Sequence, residues 1–147
     1  MIDAREIGVE VNLENAGKLE KIGLAIRDKV NESIELRHPE DASINKVKQV
    51  QFYDPEPANP EVDCRCLAIV GPGGIDLTPS GTSTCAHMAS LYAKGKLGVG
   101  DEFVMESIIG AKIRGKIVAE TRCGDYKAII PEITGDAYIT RFITILD

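Results

Sequence analysis

The sequence contains no tryptophan and only 5% aromatic residues, and its 17 Lys and Arg are outnumbered by 23 Asp and Glu, for a formal charge of −6. That balance excludes an ordinary nucleic-acid surface, because binding phosphates takes clustered Lys and Arg and no such block occurs. Long apolar runs are also missing, which excludes a helical membrane span of about eighteen or more residues. Met1 is followed at once by Asp3, Arg5 and Glu6, which is unlike an export signal, so a cytoplasmic protein is expected. Cysteine is sparse: Cys64, Cys66, Cys85 and Cys123, for which disulfides are not expected in that compartment. Cys64 and Cys66 would point the same way on a strand, but His38, His87, Cys85 and Cys123 are scattered without a ligand pattern, so no metal is expected. What is present, 147 residues of which 44% are hydrophobic and 27% charged, suits one compact domain over residues 1–147. Work on a small molecule or a protein partner is favoured.

The pattern along the chain is mixed. Ile7, Val9, Val11 and Leu13 alternate with small or polar residues, which predicts a half-buried strand over Glu6–Leu13. Asn12 or Asn15 then offers a cap, and Leu19, Ile22, Ile26, Val30 and Ile34 recur at helical spacing, predicting an outer amphipathic helix over about 15–35. Val47–Tyr53 reads as a strand, and DPEPANPEVD, with three prolines, as an exposed loop. Cys66–Val70 is a continuous apolar run, best taken as a buried strand feeding the turn GPGG at 71–74. From Thr82 to a C-cap at Gly95 the residues are apolar or small nearly all round, which predicts a buried helix. Strands are expected at Glu102–Ile109, Lys112–Glu120, Tyr126–Ile130 and Ala137–Leu146.

Chemistry concentrates in IDLTPSGTSTCAHMA, residues 75–89. A helix start leaves backbone amides unpaired and partly positive, so it binds carboxylate or phosphate. Gly81 and Thr82 lie where those amides should be, glycines at 71, 73 and 74 permit close approach, and Asp76 offers an anion for an ammonium group. An amide nest beside an acid describes an amino-acid site. On pattern alone the favoured reading is the simpler one, that Ser80 or Thr82 only caps a helix and that the Gly and Pro residues only make a tight turn, as they do in most proteins.

The segment IDLTPSGTSTCAHMASLYAKGKLGVGDEFVMESIIGAKIRGKI resembles the second half of the proline racemase family, which includes hydroxyproline epimerases and trans-3-hydroxyproline dehydratases. IDAREIGVEV near the start, RHPE at 37–40 and PEITGDAYITRF at 131–142 resemble it in the same order, so essentially the whole chain is covered. The resemblance implies an α+β diaminopimelate epimerase-like fold. This chain would be a single lobe of it, a curled, mostly antiparallel sheet around a central helix with one outer helix. It implies cofactor-independent removal of the substrate's α-proton by two catalytic positions, one from each lobe and usually Cys, at facing helix N-termini.

Carried over, Ser80 stands at the second catalytic position, where racemases and epimerases have Cys. Asp76 matches the amine-binding aspartate, and Gly81 and Thr82 match the amides that hold the carboxylate. An unactivated alcohol is a very poor base for a carbon acid. Family members with a hydroxyl residue here resemble the dehydratases, in which the other lobe's Cys takes the α-proton and a 3-hydroxyl departs. An engineered Cys replacement would read the same way. Everything resembling the first lobe, its Cys included, is missing from a chain about half the family's length. Cys85, more than a turn into the helix, reads as core and not as the missing thiol, and His87 as a packed or solvent-facing helix residue. The expectation is therefore half a site for proline or hydroxyproline, completed by a first-lobe partner chain, with a non-catalytic, self-associating lobe as the rival.

Overall fold

Cys66–Val70 is apolar on both faces, as a strand covered on two sides requires. In the computed structural model, which describes residues 1–139 and 141–143, it lies within β3 (Cys64–Gly71). One edge of β3 pairs antiparallel with β2 (Val50–Asp54), and β1 (Ile2–Asp3) adds in parallel to β2. The other edge is divided. Ala68 to Gly71 pair with β4 (Gly74–Asp76), whereas Cys64 to Cys66 pair in parallel with β5 (Glu102–Ser107). From β5 the sheet continues through β6 (Lys112–Cys123) and β7 (Tyr126–Gly135), a long antiparallel hairpin. The seven strands form one open sheet, ordered β1-β2-β3-β5-β6-β7 with β4 beside β3. It is α+β and mostly antiparallel, as expected.

Successive side chains leave a strand on opposite faces, and β3 uses both. Leu67 and Ile69 enter a core with Val50, Phe52 and Leu19, the last from α1 (Ala16–Ser33). Cys64 and Cys66 enter a second core with Phe103, Met105, Ile117 and Met88, the last from α2 (Gly81–Ala93). The two helices therefore cover opposite faces of one sheet. Leu19, Phe52, Leu67 and Met88 are essentially fully buried, and each such side chain contributes about 1.5–3 kcal/mol by leaving water. α1 starts where Asn12 Oδ1 accepts the Asn15 amide at 2.9 Å. It lies close to the sheet because Gly23 has no side chain: a Cβ there would sit 2.8 Å from Ile69 Cδ1 and 3.0 Å from Phe52 Cε2.

Three expectations change. Residues 6–13 form no strand; Asp3 accepts the Arg5 amide and caps a 3-10 turn at Ala4–Ile7, which Gly8 ends at φ +63°. Val9 and Val11 are still buried, so the alternation reports burial without a ladder. α2 buries Ser83, Thr84, His87 and Met88 but leaves Thr82, Ala86 and Ala93 exposed. Its small-residue composition lets it lie close to β6 and β7 on one side, while the other side is open. Of the strand expected at 137–146, residues 137–139 and 141–143 are not extended into the sheet, and residues 140 and 144–146 lie outside the described residues.

The contact of α2 with β6 depends on Gly115, where an added Cβ would lie 2.3 Å from Met88 Sδ. Gly115→Ala is expected to destabilise the chain by about 1–3 kcal/mol through overpacking. Urea unfolding checks it, and the penalty should largely vanish when the same change is made in a Met88→Ala background.

Candidate functional site

Between the end of β4 and the start of α2 the chain must turn out of the sheet, and a short relay of side chains fixes the turn. The Thr78 amide and hydroxyl both donate to Asp76 Oδ1, at 2.9 and 2.8 Å, and the Ser80 amide donates to Thr78 Oγ1 at 3.2 Å. Ser80 itself adopts φ +62° and ψ 118°, and among the described residues it is the one non-glycine with positive φ. Such a backbone costs on the order of 1–3 kcal/mol and persists only where its surroundings hold it. Here they do. The Thr84 amide and hydroxyl each donate to the Ser80 carbonyl at 2.9 Å. The Cys66 thiol reaches the Pro79 carbonyl at 3.7 Å.

The Ser80 hydroxyl is 8% exposed at the residue level and sits at the N-cap of α2. Its oxygen accepts from the Ser83 amide at 3.4 Å and from Gln49 Nε2 at 3.1 Å, and the same Gln49 nitrogen donates to Ser83 Oγ at 3.0 Å. With its lone pairs facing N–H donors, the hydroxyl proton is the group left to point at a ligand. Gly81 follows at the first helical position, where a Cβ would lie 2.8 Å from Ile133 Cδ1 of β7. The first-turn amides of Gly81 and Thr82 lack intrahelical carbonyl partners by helix geometry, and no acidic residue neutralises that turn.

Asp76, Ser80, Gly81 and Thr82 are thus gathered at one helix mouth. Three contributors were missed from sequence: Thr78, Ser83 and Gln49. Thr78 and Ser83 carried a signal, since hydroxyl residues flanking a Pro-Ser turn bond to local backbone. Gln49 carried none, because it reaches Ser80 from the chain preceding β2.

The other candidate groups lie elsewhere. Cys85 is half-buried on α2, and burial raises its thiol pKa. Cys64 and Cys66 are buried in the second core, where desolvation pushes the Cys66 thiol up to about 12 and the Cys64 thiol higher. His38 accepts the Glu40 and Asp41 amides on Nδ1, at 3.2 and 3.1 Å, so its proton sits on Nε2, 3.5 Å from Cys123 Sγ. His87 packs edge-on to Tyr53 and against Phe103 beside a cavity of about 260 Å³ lined by the C-terminal half of α2. Among the described residues no three His, Cys, Asp or Glu side chains form a ligand set for a metal ion, and no helix is long and apolar enough to cross a membrane.

The proline racemase family model matches residues 1–146. The chain belongs to the proline racemase family. It is 46% identical to a proline racemase of Clostridioides difficile over 97% of this chain and 42% of that protein. It is 31% identical to a trans-3-hydroxy-L-proline dehydratase of Bacillus cereus, again over 97% of this chain and 42% of that protein. A crystal structure of a hydroxyproline epimerase from Agrobacterium vitis with bound trans-4-hydroxy-L-proline superposes with a TM-score of 0.84 at 32% identity, over 90% of this chain and 38% of that one. The chain therefore spans about two fifths of the length of the proline racemase relatives it matches.

His87 gives a pH test of this layout. Burial first, and the Lys94 ammonium second, lower its pKa from 6.5 to about 4, and its buried Nδ1 has no hydrogen-bond partner. Above about pH 6.5 neither the folded nor the unfolded chain is protonated there, so the neutral packing contributes fully. As pH falls from about 6.5 towards about 4 the unfolded chain takes a proton that the folded one refuses, and stability declines. Urea unfolding at neutral pH and near pH 5 should show a loss of about 2 kcal/mol from this group. That component should be absent in His87→Gln.

Proposed function

We propose that this chain is a single lobe bearing half of a proline racemase-family site, and that the completed site dehydrates a 3-hydroxylated proline without a metal or organic cofactor. Gly81 and Thr82 amides hold the substrate carboxylate, and Asp76 pairs with the ring ammonium. A thiolate on a first lobe, supplied by the rest of a longer chain or by a partner polypeptide, removes the α-proton. The electron pair from that C–H bond is first held by the amide-bound carboxylate, and it then forms the Cα–Cβ double bond as the C3–O bond breaks. Ser80 hydrogen-bonds the departing oxygen, which leaves as hydroxide and takes a proton from solvent to become water, while the first-lobe thiol releases the α-proton to solvent; the enamine product tautomerises to a pyrroline carboxylate.

The observation that carries this reading is the state of the Ser80 oxygen. Its acceptor sites face Gln49 Nε2 and the Ser83 amide, so it is arranged as a donor. A two-base racemase needs an acceptor for a carbon-bound proton at this position. Among the described residues no histidine stands behind Ser80 to activate it, since His87 is buried further along α2 and His38 faces Cys123. Over the same lobe the chain is more similar to a proline racemase than to a dehydratase, so the dehydratase reading rests on Ser80 and its partners and not on overall identity. The reaction is decided by the few groups that meet the α-carbon.

The test offers L-proline, D-proline and both 3- and 4-hydroxyprolines to the chain, with and without a Cys-bearing first lobe, in deuterated water. Pyrroline formation from 3-hydroxyproline is expected only when the first lobe is present, and Ser80→Ala should slow it by about 10- to 100-fold. Ser80→Cys should instead bring α-deuterium exchange to proline. Racemisation by the unmodified pair would sink the reading. Silence in every combination, with a tight homodimer in solution, would support a non-catalytic self-associating lobe.

A further inference from the structure

The carboxamide of Gln49 bridges two hydroxyls that otherwise belong to one short helix turn. Gln49 stands just before β2 and is half-buried, and its Nε2 lies 3.1 Å from Ser80 Oγ and 3.0 Å from Ser83 Oγ. An amide nitrogen has two hydrogens, so it can donate one to each oxygen. The polarity matters more than the contact. With Nε2 inward, both serines accept from Gln49 and both turn their own protons outward. With Oε1 inward, both serines would donate to Gln49 and present lone pairs to the ligand.

We propose that Gln49 is a positioning residue that holds the Ser80 and Ser83 hydroxyls as paired hydrogen-bond donors, selecting a substrate that carries a hydroxyl acceptor beside its α-carbon. This deepens the dehydratase reading and rests on it for the choice of substrate, while the role of Gln49 towards Ser80 stands on geometry alone. Gln49 touches no reacting atom. It acts through Ser80, whose oxygen it fills and whose rotamer it fixes across the strained turn. Ser83 adds a second donor one helical turn from the first, so the pair can follow an oxygen that moves away from the ring as the C–O bond lengthens.

The contact can be read without turnover. In a Ser80→Cys variant of this chain, the introduced thiol sits at the same position, and an N–H donor there favours the thiolate. Its alkylation rate against pH, with the site identified by mass spectrometry, gives its apparent pKa. The native cysteines are distinguishable because burial raises all four of them, Cys64, Cys66, Cys85 and Cys123. Adding Gln49→Leu should raise the pKa of the introduced thiol by about one unit, a roughly tenfold loss of thiolate at neutral pH. Gln49→Glu, nearly the same shape, should raise it further by presenting a carboxylate. A thiol whose titration is unmoved by both changes, or moves down with Gln49→Leu, overturns the proposal whatever the completed enzyme does.

In the completed enzyme, Gln49→Leu should lower kcat for 3-hydroxyproline dehydration by about tenfold or more while leaving α-deuterium exchange into that substrate intact. Equal loss of both would mark Gln49 as merely structural and overturn the selection. If the unmodified pair does not dehydrate while the thiol titration still moves, the dehydratase reading fails and the Gln49 contact stands.

Discussion

Everything at the helix mouth follows from one feature of the sheet, the change of partner along β3. Up to Cys66 its free edge belongs to β5, and from Ala68 it belongs to β4. At Leu67, between them, only the β2 side is paired, with Phe52. The chain leaving β4 has to rise off the sheet over that gap and enter α2 on the face that Cys64 and Cys66 supply. Pro79 is consequently buried, with its carbonyl on the Cys66 thiol, and the turn is completed by forcing Ser80 to φ +62°. Strain of about 1–3 kcal/mol at that residue is offset by several local hydrogen bonds worth about 0.5–1.5 kcal/mol each. Removing the gap would leave no place to aim a helix N-terminus outward from the middle of a sheet.

The long β6–β7 hairpin closes the same region from the other side. Its tip is held by the RHPE stretch. The Gly124 amide donates to Glu40 Oε1 at 2.7 Å, and Gly124, at φ +56°, is so close to Pro39 that a Cβ would fall 2.7 Å from it. Further along, Ile133 comes down on Gly81, so a side chain at the first position of α2 would have to displace the Ile133 methyl. The RHPE stretch thus holds the tip of the hairpin whose other end, at Ile133, borders Gly81. The outer side of α2, at Thr82, Ala86 and Ala93, is left uncovered by that hairpin.

What sequence could show was what neighbouring residues decide. The helical spacing from Leu19 to Val30 fixed α1 because periodicity is local, and the apolar run Cys66–Val70 announced β3 because a strand covered on both faces cannot alternate. The alternation at Ile7–Leu13 misled for a physical reason: Val9 and Val11 are buried by α1's core without any strand beside them, while Asp3 and Gly8 set a tighter turn just before. Ser80, Asp76, Gly81 and Thr82 lie within one turn and so were legible together. Gln49 was not, since its contact spans the change from β2 to α2, and neither was the openness of α2, which depends on how far a hairpin wraps.

Under the proposed function, the polarity of the helix mouth constrains what must face it. Nearly every group it offers is a donor: the Gly81 and Thr82 amides, the Ser80 hydroxyl and the Ser83 hydroxyl, with one Asp76 oxygen already engaged by Thr78. Donors aimed at a carboxylate become more favourable as charge from the α-carbon flows into it, so they stabilise the transition state of deprotonation more than the bound substrate. They cannot themselves take the proton. A surface built this way is useful only opposite an acceptor, and the acceptor must be strong, because a carbon acid next to a carboxylate yields its proton reluctantly. A thiolate at a second helix N-terminus meets that demand, since its own amides hold it deprotonated while leaving it nucleophilic. Under the proposed reading, then, replacing a thiol by Ser80 moves the whole burden of base catalysis to the other lobe, and with it the direction from which the proton must leave.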